Sequence, residues 1–110
     1  MRIVKIEENE LIFDNGNCIS ADHRQDCCEW NYADFPQLDD EARAYDYDEN
    51  ISFEEVKSCG FRFGDSRRKF FVPCYSEQNG YYSSDLDITY SDSHGNVINT
   101  LNIDCEWINC

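Results

Sequence analysis

No stretch of this chain approaches the roughly 20 consecutive apolar residues that a bilayer-spanning helix requires. It has no C-x-x-C pair, so the usual spacing of a structural zinc site is missing. A glycine-rich phosphate loop and a G-x-S-x-G elbow are also absent. The run "DYDENISFEEV" (46–56) starts like a calcium loop but lacks its glycine and its ligand spacing. Bases are scarce: nine, against twenty-three acids, for a net charge of −14. A field of that sign repels nucleic acid and anionic membrane surfaces, because both are bound through cationic side chains. It admits a basic protein partner and would speed the encounter. The opening "MRIVKIEENE" turns acidic after six residues, unlike a secretory leader, so a soluble cytoplasmic protein is expected.

What is present is enough to fold. Hydrophobic residues make up 41% of the 110 positions and aromatics 15%, which argues against disorder. With no internal repeat and no linker, residues 1–110 read as one domain. The charge is uneven, −11 over residues 1–60 and −3 over residues 61–110. The seven cysteines (18, 27, 28, 59, 74, 105, 110) are odd in number and two are adjacent. In a reducing compartment they read as free thiols, most of them packed as small hydrophobes.

The periodicity is that of strands. "RIVKI" alternates, and "ELIF", "DNGN" and "CIS" read as a hairpin with Asn15-Gly16 supplying positive φ angles. "CCEWNYADF" reads as a strand with Cys28, Trp30 and Tyr32 packed inward behind a polar turn at 22–26. A helix from Asp22, boxed by Gln25, competes with that strand. "FPQLDDEARAYDYDE" is the helical or irregular stretch, opened by Pro36 and with acids in its first turn. "ISFEEV" is a short strand, and "CGFRFGD" and "KFFVPCYS" pair around "GDSRR". The cluster Arg62, Arg67, Arg68 and Lys69 then forms a hairpin tip held by surrounding acids. "GYYSSDLDITYSD", the turn "HGN" and "VINTLNIDCEWI" complete the chain. The expected fold is α+β, mainly β: one antiparallel domain of about eight short strands and one short helix.

Chemistry concentrates in "HRQDCCEWNYADF" (23–35). His23, Cys27 and Cys28 offer three metal ligands, and Cys74 or Cys105 could complete a tetrahedron. Adjacent cysteines on a strand point to opposite faces, however, so they seldom share an ion. A thiol beside His23 could act as a nucleophile, but neighbouring carboxylates hold thiols protonated. No metal, cofactor or catalytic residue is therefore assigned. The acid pairs Asp39-Asp40, Glu54-Glu55 and Asp85 with Asp87 read as solvated faces, since acids are a fifth of the chain.

Two segments carry a resemblance. "HRQDCCE" resembles an H-x-Q-D-C-C-E signature, and "QNGYYSSDLDI" resembles an N-G-Y-Y-S segment that follows it. Together they are similar to a family of short bacterial and phage-encoded proteins of unknown function, over about residues 11–90. Arg24 departs from the acidic or polar residue usual there. The resemblance supplies neither reaction nor ligand. It implies that His23, Asp26, Cys27, Cys28, Glu29, Asn79, Tyr81 and Tyr82 form one unit in space. The combined expectation is a non-enzymatic binding protein, in one version a phage-type inhibitor of a basic nucleic-acid-handling partner. The alternative is a metal- or thiol-dependent site at His23 and Cys27/Cys28.

Overall fold

The structure, a computed structural model, describes residues 1–23, 30–78 and 83–109. In chain order its elements are β1 (Ile3–Glu7), β2 (Glu10–Phe13), β3 (Cys18–Asp22) and β4 (Trp30–Ala33). A 3-10 turn (Phe35–Gln37) and a single-turn helix α1 (Asp40–Ala44) follow, then β5 (Ser52–Val56), β6 (Gly60–Gly64) and β7 (Lys69–Gln78). The chain closes with β8 (Asp85–Ser91), β9 (Val97–Asp104) and β10 (Glu106–Asn109). The described residues therefore form a mainly β protein of ten strands, two more than the sequence suggests.

Alternation decides which way each strand faces. In β8, Leu86, Ile88 and Tyr90 are buried while Asp85, Asp87 and Thr89 point outward. The first sheet runs β1-β2-β3-β8-β9, every pairing antiparallel. In the second, the first half of β7 pairs with β6 and the second half with β4, both antiparallel; β5 flanks β6. β10 adds to β7 in parallel, with Trp107 opposite Ser76. One apolar core joins the sheets: Leu11, Phe13, Ile19, Leu86, Ile88 and Tyr90 face Phe61, Phe63, Phe70 and Val72. Tyr47 sits edge-on to Phe13 at 5.4 Å and stacks on Phe63 at 5.6 Å, with its hydroxyl donating to the Ala42 carbonyl.

Several expectations change in detail. At the β2–β3 turn only Gly16 takes a positive φ (88°); Asn15 instead accepts the Asn17 N–H through its side chain. Pro36 lies in the 3-10 turn, and the short helix starts at Asp40, with Asp39 accepting the Ala42 N–H. Asp22 ends β3, and residues 24–29, over which the competing helix would run, lie outside the described residues. The tract 97–108, read as one run, splits at buried Cys105, where the chain leaves β8 for β7. Of the four cysteines described, Cys74 and Cys105 are buried, Cys18 is half-buried and Cys59 is exposed.

The largest correction is the phase of β4. Asn31 and Ala33 face the core, and Trp30 (46% exposed) and half-buried Tyr32 lie on the outer face. The strand lies within the stretch the sequence assigns it, with Cys28 outside the described residues and Phe35 already in the 3-10 turn, but its inward residues are the small and polar ones.

Of the basic cluster Arg62, Arg67, Arg68 and Lys69 at and beside the β6–β7 tip, the three arginines are held by acids, as the sequence indicates, and Lys69 is in no ion pair among the described residues. Arg67 pairs with Asp65 at 2.8 Å, Arg68 with Glu41, and Arg62 with Glu54 at 3.2 Å.

Candidate functional site

The outer face of β3, β8 and β9 is built by alternation alone. Asp22 sits opposite Asp87, Asp87 opposite Asn102, and Asp85 opposite Asp104. The next row is Glu10, Ser20, Thr89 and Thr100. Opposed side chains lie about 5 Å apart and successive rows about 7 Å. β2, β3, β8 and β9 contain no lysine or arginine. Lys5 on β1 is paired with Glu7 at 3.3 Å.

Like charges directly opposite each other destabilise a sheet, and this face has two such pairs, Asp22 with Asp87 and Asp85 with Asp104. Asn102 relieves part of the repulsion by donating to Asp87 at 2.7 Å and to Asp85 at 3.3 Å. The Ser83 hydroxyl donates to Asp85. That bond, with help from Asn102 and His23 and against some loss of solvation, holds the Asp85 carboxyl below its ordinary range. The Asp85 carboxylate stays ionised at any physiological pH, at one end of an acidic grid formed with Asp22, Asp87 and Asp104.

Behind one end of this grid lies a buried polar network. The Asn31 amide donates to the carbonyls of Ser83 and Asp85, both at 2.9 Å, and its oxygen accepts from the Ser76 hydroxyl. Gln78 donates to the Ser76 hydroxyl at 2.6 Å and to the Ser83 carbonyl at 3.3 Å. Trp107 donates its indole N–H to the Gln78 carbonyl at 3.2 Å. Asn31, Ser76 and Gln78 are each at most 1% exposed. Buried amides and hydroxyls hold position firmly when satisfied, so the network fixes β4 to β7 and β8.

Of the residues singled out in the sequence, His23 is described. Its imidazole is 9% exposed, with Nδ1 3.5 Å from an Asp85 carboxylate oxygen. Asp26, Cys27, Cys28, Glu29, Asn79, Tyr81 and Tyr82 lie outside the described residues. The residues bordering the two segments converge: His23 reaches Asp85, Asn31 reaches Ser83 and Asp85, and Gln78 reaches Ser83. Among the described residues no group of three or more His, Cys, Asp and Glu side chains is arranged to hold a metal ion.

Sequence reasoning missed Asn31, Ser76, Gln78 and Asn102. The first three occupy inward positions that a binary pattern reserves for apolar side chains. Their signal was present in β7, where "FVCSQ" at alternate positions 70 to 78 continues an apolar series into polar residues.

Comparison with family models, curated proteins and solved structures finds no match to any of them. Among the described residues, no helix is long and apolar enough to cross a membrane.

Proposed function

We propose that this chain is a non-enzymatic binding protein that engages a basic, nucleic-acid-handling partner, presenting carboxylates where a nucleic acid presents phosphates. The observation that carries this reading is the acidic face of β3, β8 and β9. It places like charges opposite one another at a cost in stability, and its strands carry no base. A cationic groove that neutralises phosphates would meet a comparable array of negative oxygens here. The phage-type character follows the resemblance of the "HRQDCCE" and "QNGYYS" segments to short phage and bacterial proteins.

The test uses a non-specific histone-like DNA-binding protein bound to labelled duplex DNA. The chain should displace the DNA at low salt and lose most of that ability as salt rises through the physiological range. Failure to displace DNA at any salt concentration would refute the reading.

A second reading rests on His23. A carboxylate beside one imidazole nitrogen orients the ring for work at the other, as in metal and thiol sites. Such a site would draw on Cys27 and Cys28. Metal analysis and thiol counting on freshly purified protein decide it: stoichiometric metal, lost on mutating Cys27 or Cys28, would establish it. Absence of metal, with Cys27 and Cys28 alkylated no faster than the other thiols, would remove it.

A further inference from the structure

The outward side of β4 and β7 carries an aromatic ladder. Trp30 packs on Tyr32 with ring centroids 4.6 Å apart, and Tyr32 packs on Tyr75, its cross-strand partner, at 5.6 Å. Glu77 lies opposite Trp30 and Asp34 follows β4. Glu8 is brought alongside by Asn9, which adopts a left-handed φ of 67° between β1 and β2. The Asn9 N–H donates to the Ala33 carbonyl at 3.1 Å, and its side-chain oxygen accepts the Ala33 N–H at 2.8 Å. Gln37 steadies the other end, donating to Asp34 at 2.6 Å and to the Tyr75 hydroxyl at 3.2 Å.

Glu8 feels the other two carboxylates. Partial burial, then Asp34 and Glu77, raise the Glu8 carboxyl above its ordinary value. Burial, then Glu77, Asp34 and Glu8, push the Tyr32 phenol up to about 12. Among the described residues none of the three carboxylates is in an ion pair.

The chain fills two comparable constellations with its own arginines. The Arg67 guanidinium lies 5.3 Å over the Tyr45 ring while bonded to Asp65. That of Arg68 lies 4.6 Å over Phe70 while paired with Glu41. Each joins a ring, a carboxylate and a planar cation, the combination that suits arginine better than lysine. On β4 and β7 the rings and carboxylates are present, and among the described residues no cation covers them.

We propose that the Trp30–Tyr32–Tyr75 face, rimmed by Glu8, Asp34 and Glu77, seats an arginine side chain of a basic protein partner. The guanidinium would lie on the rings with its N–H groups directed at the carboxylates. This rests on the reading of a basic partner and adds where, and through which residue type, that partner is recognised.

The test is calorimetric titration of the whole chain with two probes, a hexa-arginine and a hexa-lysine peptide of equal length and charge. Wild-type protein should bind the arginine peptide several-fold more tightly. Tyr75→Leu and Tyr32→Leu should each weaken the arginine peptide roughly 10-fold and erase its advantage. Tyr75→Phe and Tyr32→Phe, which keep the rings, should retain both and show that the sheet is intact. Asp87→Asn with Asp104→Asn, on the other sheet, should weaken both peptides alike. An arginine preference unchanged in the leucine variants but lost with the β8 and β9 acids would overturn this seat while leaving the basic-partner reading standing. Equal binding of the two peptides to wild-type protein would also overturn it. Failure of both peptides to bind would do the same, and DNA displacement would then judge the basic-partner reading separately.

Discussion

Asp65 gathers five donors at the β6–β7 tip: the N–H groups of Asp48, Arg67 and Arg68, the Tyr45 hydroxyl and the Arg67 guanidinium. It is 1% exposed, and loss of solvation alone would raise its pKa; the hydrogen bonds outweigh that and hold it far below the usual carboxylate range. Removing the charge leaves buried donors aimed at a neutral group, so Asp65→Asn should cost about 3–5 kcal/mol, read from thermal or urea unfolding. Because the folded pKa is depressed, this stabilisation is complete above the ordinary aspartate value near 3.9. It fades as pH falls through that value toward the folded one. The gap between wild type and Asp65→Asn should therefore narrow below about pH 4. A gap independent of pH would show that shape, and not charge, matters at this position. A second contrast lies on β4. Trp30→Ala removes a half-exposed ring and should cost under about 1 kcal/mol, well short of the 3–5 kcal/mol of a core tryptophan. Asn31→Ala removes the amide donors to the Ser83 and Asp85 carbonyls and the acceptor of the Ser76 hydroxyl, leaving Gln78 alone to serve Ser83 and Ser76, and should cost at least about 2 kcal/mol. The reverse order in a melt would restore an inward-facing Trp30.

The two β4 residues show why the sequence could be read only in part. Hydrophobicity placed the strand correctly, and the same rule turned it over, because a tryptophan and a tyrosine outweigh an asparagine and an alanine in any inward-facing score. Local signals did better for the elements. Alternation located β1 to β3, β5 to β8 and the hairpin tip, and the proline and acids of 36–41 pointed to a helical stretch, although α1 starts at Asp40 and not at Pro36. The split at Cys105 was not legible. Ile103, Cys105 and Trp107 keep one alternating series, so periodicity carries no record that the chain has changed partners from β8 to β7. Gly60 shows what such long-range packing demands. Its φ is 152°, and a Cβ there would run into the Val72 carbonyl oxygen on β7. Gly60→Ala should therefore lower stability by about 2 kcal/mol or more, seen as an earlier urea midpoint. An unchanged midpoint would mean that β6 and β7 pair less closely at that end.

For the whole molecule the decisive feature is where charge is compensated. Arginines 62, 67 and 68 are paired with acids around the β5–β7 hairpins, which leaves Lys57 and Lys69 as the bases there outside any ion pair among the described residues. Across β3, β8 and β9 the acids face one another, with Asn102 as the main mediator. A face held for solubility alone gains nothing from placing aspartates in register, whereas a face that must meet a cationic groove does. A trade should follow: less charge on this face gives a more stable protein and a weaker binder. The measurement that tests this most directly is DNA displacement from the histone-like protein by wild type and by Asp22→Asn/Asp87→Asn/Asp104→Asn, compared at one low salt concentration. The variant should melt at or above the wild-type temperature and need about 10-fold more protein to displace half the DNA. Equal potency in wild type and a folded triple variant would contradict the claim that this acidic face engages the partner.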